Sequence, residues 1–186
     1  MPSIDLQPTL IGPRVIVRPI APTDWPEMFA AAADPAIWAL HPASDRYTEP
    51  VFRAFFDNAL ASRSAFSFVD RQSGKIIGSS RYHAHNPAIS EIEIGWTFLA
   101  RPYWGGSYNL EVKRLMLGHA FQFVDTVLFW VGETNWRSQR AMEKIGGVRR
   151  SELQYRLLDG KSHPHVVYEI TKRDFQSSPI WTSSAG

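Results

Sequence analysis

Two carboxylates and a pair of glycines carry the first chemical signal in this chain. Glu91 and Glu93 stand two residues apart in Glu91-Ile92-Glu93-Ile94-Gly95-Trp96-Thr97-Phe98-Leu99, a stretch that alternates like a half-buried strand. On a strand that spacing puts both carboxylates on one face. If that face lines a cleft, mutual repulsion and partial burial raise one pKa toward the range of a useful general base. The plain alternative is an exposed or structurally hydrogen-bonded glutamate. Directly after comes Tyr103-Trp104-Gly105-Gly106-Ser107-Tyr108-Asn109, a Gly-Gly turn leading into a segment with helical spacing. A glycine-containing strand-to-helix junction leaves the first helical N–H groups free, and those groups attract anions such as phosphates. The plain alternative there is an ordinary helix start with Ser107 near the cap.

The elements that hold these residues follow from the patterning. Residues 13–20 alternate (Val15, Val17, Ile20) and predict a first strand. Asp24 is placed to cap a helix running to about Ala33, with Pro26 in its first turn. Asp34-Pro35 breaks it, and residues 36–40 form a short further turn. Thr48-Glu49-Pro50 starts a second helix over 51–62. Residues 65–70 are a strand, 72–75 a turn, 76–85 the returning strand, and Asn86-Pro87 turns into 91–99. The helix over 110–124 carries Val112, Leu115, Met116, Ala120 and Phe123 as an apolar stripe. Residues 126–132 are nearly all apolar and read as an inner strand. Residues 135–145 form a short helix ending at Gly146-Gly147. The last strands are 148–158 and 165–171, the turn before the second containing Asp159-Gly160. The order β-α-α-β-β-β-α-β-α-β-β describes one α/β (α+β) domain, 1–175, with a mostly antiparallel sheet of about seven strands and helices on both faces. The tail, 176–186, reads as loose, with Trp181 as a residue that could dock.

Composition narrows the function. The 186 residues suit one domain with a substantial core, and 44% are hydrophobic. The net charge is only +2, and Arg149-Arg150 and Lys172-Arg173 are pairs, not patches, so no DNA partner is expected. No apolar run approaches the roughly 18 residues of a membrane span. The first residues lack the regions of a secretion signal, and cysteine is absent, which excludes a thiol nucleophile and a disulfide framework. A cytoplasmic protein, monomer or homodimer, is expected.

The junction is neither of two familiar phosphate loops. No Gly-Lys-Ser/Thr closes it, and no dinucleotide-type fingerprint with an acidic residue about 20 positions on is present. The run Glu93-Ile-Gly-Trp-x-Phe-Leu-x-x-Pro-Tyr-Trp-Gly-Gly-Ser-Tyr-Asn-x-Glu-x-Lys, with His119-Ala-Phe121 and Asn135-x-x-Ser138 through Lys144-Ile-Gly146, instead resembles the GNAT superfamily of N-acetyltransferases. More closely it is similar to the ribosomal-protein (RimJ/RimL-like) branch. The likeness extends over roughly Leu10 to Phe175 and includes Arg14-Val-Ile-Val-Arg-Pro-Ile and Val166-Val-Tyr-Glu-Ile170.

The resemblance implies acetyl-CoA as co-substrate and a primary amine as acceptor, a protein N-terminus or a small molecule, with direct transfer in a ternary complex. It implies that Trp104, Gly105, Gly106, Ser107, Tyr108 and Asn109 form the pyrophosphate loop, with Ser107 and Asn109 where the family has small residues. Backbone N–H groups do most of the holding in such a loop. The resemblance gives Trp96, Phe98 and Leu99 the strand that bonds the pantetheine arm. It makes Glu93, 11 residues before Trp104, the general base, with Glu91 and a water relay as alternatives. Asn135 is the N-cap of its helix on pattern, and by resemblance also a pantetheine contact. Ser138 matches a serine proposed as general acid toward the departing thiolate. Many members carry a tyrosine seven residues after the asparagine; here that residue is Met142, with Tyr108 and Tyr155 as possible substitutes. The Arg-Asp that often precedes the last strand is replaced by His163-Pro164-His165.

Two His-x-His pairs, His83/His85 and His163/His165, would each share a strand face, but no Cys or acidic companion has metal-site spacing, so no metal is expected. Trp25, Trp38, Phe52, Phe55 and Phe56 have helical spacing and read as core, in the region that walls the acceptor site in the family. The altered loop and the missing tyrosine keep a rival reading in view, a non-catalytic acyl-CoA-binding or regulatory module.

Overall fold

Alternating apolar residues build one mixed sheet, and two aromatic-rich clusters cover its faces. The computed structural model describes residues 4–158 and 160–182. Its strands are β1 (Leu10–Ile11), β2 (Val15–Pro19), β3 (Ala65–Asp70), β4 (Ile76–Asn86), β5 (Glu91–Leu99), β6 (Thr126–Gly132), β7 (Val148–Arg149), β8 (Gln154–Leu158) and β9 (Lys161–Thr171). Their order across the sheet is β1-β2-β3-β4-β5-β6-β9-β7, with β8 also pairing β9. All pairings are antiparallel except β5 with β6. That parallel pair is joined through α4 (Ser107–Ala120), the crossover helix that a parallel connection requires.

The remaining helices are α1 (Trp25–Ala32), α2 (Pro35–Trp38), α3 (Glu49–Ser62), α5 (Trp136–Lys144), α6 (Lys172–Ser177) and α7 (Pro179–Thr182). One face of the sheet, with Tyr82, Ile94, Phe129 and Tyr168, packs on Val112, Met116, Leu117 and Ala120 of α4. The other face is covered by Trp38, Phe52, Phe55 and Phe56, which meet Phe98 of β5. The aromatic residues of the first helices are therefore core, as their spacing predicts. No helix among the described residues is long and apolar enough to cross a membrane.

Several expectations shift. Asp24 does not cap α1: its carboxylate takes Arg18, Ser67 and the Ala21 N–H instead, fastening the chain before the helix to β3. The segment 148–158 is not one strand. It divides into β7 and β8 around Arg150, whose guanidinium is held by Glu91 and Glu169. β9 begins at Lys161, four residues before the expected start, because β8 offers it a partner. Asp159 of the expected turn lies outside the described residues. The tail is helical to Thr182, where Trp181 is buried and stacks near Phe175 at 5.4 Å. Residues 183–186 lie outside the described residues.

Candidate active site

The site begins where β5 and β6 part. They pair only over Glu91–Glu93 and Thr126–Leu128. Beyond Glu93 the β6-facing edge of β5 has no strand partner, so its backbone donors and acceptors are exposed to whatever enters the gap. β5 also changes parity there. Trp96 has φ +52, and β4 loses register between Ser79 and Arg81, so Trp96 and Thr97 oppose a single residue. This bulge turns Trp96 to the same face as Gly95, and it sends Phe98 into the α1–α3 cluster and Thr97 toward α4. Strict alternation along β5 therefore holds only as far as Gly95.

Glu93 is 3% exposed. Its carboxylate sits over Gly95, where an added Cβ would come within 2.7 Å of Oε1. Nη2 of Arg156, on β8, donates to both oxygens at 3.0 and 2.8 Å. Burial pushes the Glu93 pKa above the usual glutamate value, and Arg156 and Arg81 pull against it. The expected repulsion between Glu91 and Glu93 is not what perturbs it. The two share a face, but each has its own arginine, Arg150 for Glu91 and Arg156 for Glu93. Beside them lies an open depression of about 660 Å³ lined by Glu91, Trp130, Arg150, Gln154 and Glu169.

Basic residues gather on this face. The Arg81 and Arg156 guanidinium carbons lie 4.4 and 4.3 Å from the Trp96 ring centre. His163 is the cross-strand partner of Arg156, and His165 sits opposite Gly132. His41 approaches from the loop after α2; burial and the nearby Arg46 push its pKa down to about 3. Burial, then Arg156 and Arg81, lower His83. The bulged Ala84, with φ +48, interrupts the alternation that would have aligned His83 with His85. Among the described residues no three His, Cys, Asp or Glu side chains converge as metal ligands.

On the other side of the gap is the glycine junction. Gly105 has φ +68, a left-handed conformation that glycine adopts freely. Gly106 is the N-cap of α4, and no side chain caps the helix. Nothing lies within 4 Å of a Cβ at Gly105 or Gly106, so the turn that leads into this uncapped 14-residue helix is uncrowded. These residues fit a pyrophosphate group. Ser107 is exposed at the helix start. Asn109 is half-buried one turn in. Trp104 is anchored rather than free: its Nε1 donates to the Leu99 carbonyl at 2.7 Å, and Arg137 lies over its ring at 4.3 Å. Tyr108 donates to Asp70 Oδ1, and Tyr155 is exposed on β8. The side chains of Phe98 and Leu99 are buried in the two clusters, and the Leu99 carbonyl is already taken by Trp104, so an arm in the gap would meet only the remaining backbone groups of this edge.

Asn135 Oδ1 accepts from the Ser138 N–H at 3.2 Å, the N-cap role its position predicts. Ser138 is half-buried in the first turn of α5. Met142 is packed into the core. One group escaped sequence reading. Lys113, 2% exposed on α4, reaches across the gap to donate to Thr97 Oγ1 at 3.0 Å, and its ammonium lies 4.9 Å from the Phe129 ring centre. Burial drives its pKa down to about 7. Helical spacing does place residue 113 beside Val112 and Met116, but a lysine there reads as surface. The clustering of Arg46, Arg81 and Arg156 was equally hidden, because it joins a loop, β4 and β8.

The family model for the acetyltransferase (GNAT) domain matches residues 14–148. A GCN5-related N-acetyltransferase from Brucella melitensis is similar at TM-score 0.82 and 18% identity, with 94% of this chain and 82% of that one covered. An acetyltransferase from Agrobacterium tumefaciens str. C58 is similar at TM-score 0.66 and 24% identity, covering 89% and 95%. Mycobacterium smegmatis RimJ, solved in complex with CoA-disulfide, is similar at TM-score 0.66 and 19% identity, covering 93% and 90%. With a family model matched over most of its length, this chain belongs to the GNAT acetyltransferases.

Proposed function

We propose that this protein transfers the acetyl group of acetyl-CoA to a primary amine by direct attack in a ternary complex, with Glu93 taking the proton of the amine. The observation that carries this reading is the buried Glu93 carboxylate at the point where β5 and β6 separate. Acetyl-CoA, when bound, supplies an acetyl group activated as a thioester. The uncapped N–H groups at the start of α4 hold the pyrophosphate, and the unpaired edge of β5 at 96–99 holds the arm. Arg156 opposes the effect of burial on Glu93 and so favours the ionised form, the one that accepts a proton. The half-buried Ser138 hydroxyl is the candidate donor to the departing thiolate, and Asn135 fixes the turn that carries it. The RimJ-like loop sequence and the cysteine-free chain suit a cytoplasmic enzyme of the RimJ/RimL-like branch.

The test is a calorimetric titration with acetyl-CoA, followed by CoA release over a panel of amines and N-terminal peptides. Glu93→Gln is expected to bind acetyl-CoA within about twofold of the parent and to lose about 100-fold or more in turnover, the usual range for a general base. Undiminished turnover removes Glu93 from the mechanism. Binding with no turnover on any amine favours a regulatory acyl-CoA-binding module, and no binding sinks the proposal.

A further inference from the structure

Two guanidinium groups pack on Trp96, and among the described residues only one of them has a carboxylate in hydrogen-bonding contact. Arg156 takes both oxygens of Glu93. Arg81 is 4% exposed, and its hydrogen bond among the described residues goes to a neutral amide oxygen, Asn58 Oδ1, at 2.7 Å. Its guanidinium carbon lies 4.4 Å from the Trp96 ring centre and 5.6 Å from that of Phe55. Arg46 stacks on the same Phe55 ring at 4.7 Å. Three cations thus share two aromatic rings on one face, and Glu93 is the carboxylate whose field reaches Arg81. Aromatic faces moderate a buried cation but do not neutralise it, and a buried charge without a counter-ion is costly. An arginine so placed offers planar donors to an anion that reaches it beside the half-buried Trp96.

The register fixes where that anion would sit. Arg81 is opposite Gly95 and His83 is opposite Glu93, so Arg81 and Glu93 are diagonal neighbours on one face. Diagonal positions stand roughly 7–8 Å apart, a span that a molecule bridges when its amine and carboxylate are a few bonds apart. Resting on the acetyl-transfer reading above, we infer that the acceptor amine carries a carboxylate, which docks on Arg81 between Phe55 and Trp96 while its amine reaches Glu93. The same cations make the site unfavourable for an ammonium, so the acceptor is held there as the neutral amine that attacks. Two sources present this chemistry: a free amino acid, and an aspartate or glutamate at the start of a peptide.

The experiment compares kcat/KM for matched acceptors: amino acids against their amides, and peptides beginning Asp or Glu against the same peptides beginning Asn or Gln. The parent enzyme is expected to prefer the carboxylate partner in at least one set by about tenfold or more, and the set in which it does so names the source. Arg81→Gln is expected to bring that ratio close to one, chiefly through KM, and Arg81→Lys to recover part of it. Calorimetry with an N-acetylated amino acid and its amide provides a readout free of turnover, in which the parent binds the acid more tightly. Equal use of acid and amide, or an Arg81→Gln ratio as large as the parent's, overturns the inference and leaves acetyl transfer standing. If no amine turns over, the acetyl-transfer reading fails, and calorimetric indifference between acid and amide sinks this slot separately.

Discussion

At the scale of single residues, the contest at Glu93 is between desolvation and one arginine. Burial alone disfavours the ionised carboxylate, and the direction of its pKa shows that burial wins in part. Arg156 offsets the remainder from a side chain 20% exposed, so its contribution is screened on one side only. Removing it leaves a buried charge with a weakened partner set. Arg156→Met is therefore expected to lower stability by about 2–3 kcal/mol, below the value for a fully buried pair because Arg156 is partly wet. It is also expected to move the acidic limb of kcat/KM to higher pH, since the Glu93 pKa rises further when its cation is gone. Urea melts and a pH–rate profile measure the two effects, and an acidic limb that stays in place removes Glu93 as the titrating base. The sequence made Glu93 a candidate through its spacing on a strand. It could not reveal Arg156, because the contact spans β5 to β8 and depends on where a hairpin folds back.

Elements decide how the coenzyme site is offered. The Gly105-Gly106 pair has two different physical roles. Gly105 needs its glycine for backbone reasons, at φ +68, whereas Gly106 has φ −114 and open space around it. A side chain at Gly106 meets no neighbouring atom at its Cβ and stands beside the first N–H groups of the helix. Gly106→Val replaces a favoured N-cap residue with a poor one, so it is expected to melt a few degrees lower while losing about tenfold or more in acetyl-CoA affinity, equivalent to about 1.4 kcal/mol. Calorimetry and thermal melting on the same sample separate the two, and unchanged affinity places the pyrophosphate elsewhere. Local signals carried most of this architecture: β3, β5 and β6 lie where alternation and apolar runs put them. The misses were tertiary. Asp24 looks like a cap in sequence, but the nearer prize is Arg18 with Ser67. The Trp96 bulge reverses the alternation of β5 and is written in no local propensity.

Across the whole molecule, the two clusters on the faces of the sheet leave charged groups inside it, and these set its pH response. Lys113 is the one that acts near and above neutral pH. Its ammonium is enclosed by α4, β5 and β6, bonded to a threonine hydroxyl that continues to Ser80, with no carboxylate in contact among the described residues. In the unfolded chain a lysine titrates near 10.4, and in the folded state burial brings Lys113 down to about 7. Between those values the unfolded chain binds a proton that the folded one releases, so stability rises with pH across the window, by up to about 1.4 kcal/mol per unit. His41 acts in the same direction lower down, because its pKa falls from 6.5 to about 3. Tyr82 opposes the trend only above its ordinary value near 10, since burial raises it. Urea unfolding from pH 7 to 9.5 is therefore expected to show midpoints that climb with pH. Lys113→Met, which keeps the length of the side chain and discards the charge, is expected to flatten that climb and to be the more stable protein at pH 7. A parent profile that is level across this range means that the ammonium is solvated or paired in solution, and the interior of the sheet is then less dry than its packing implies.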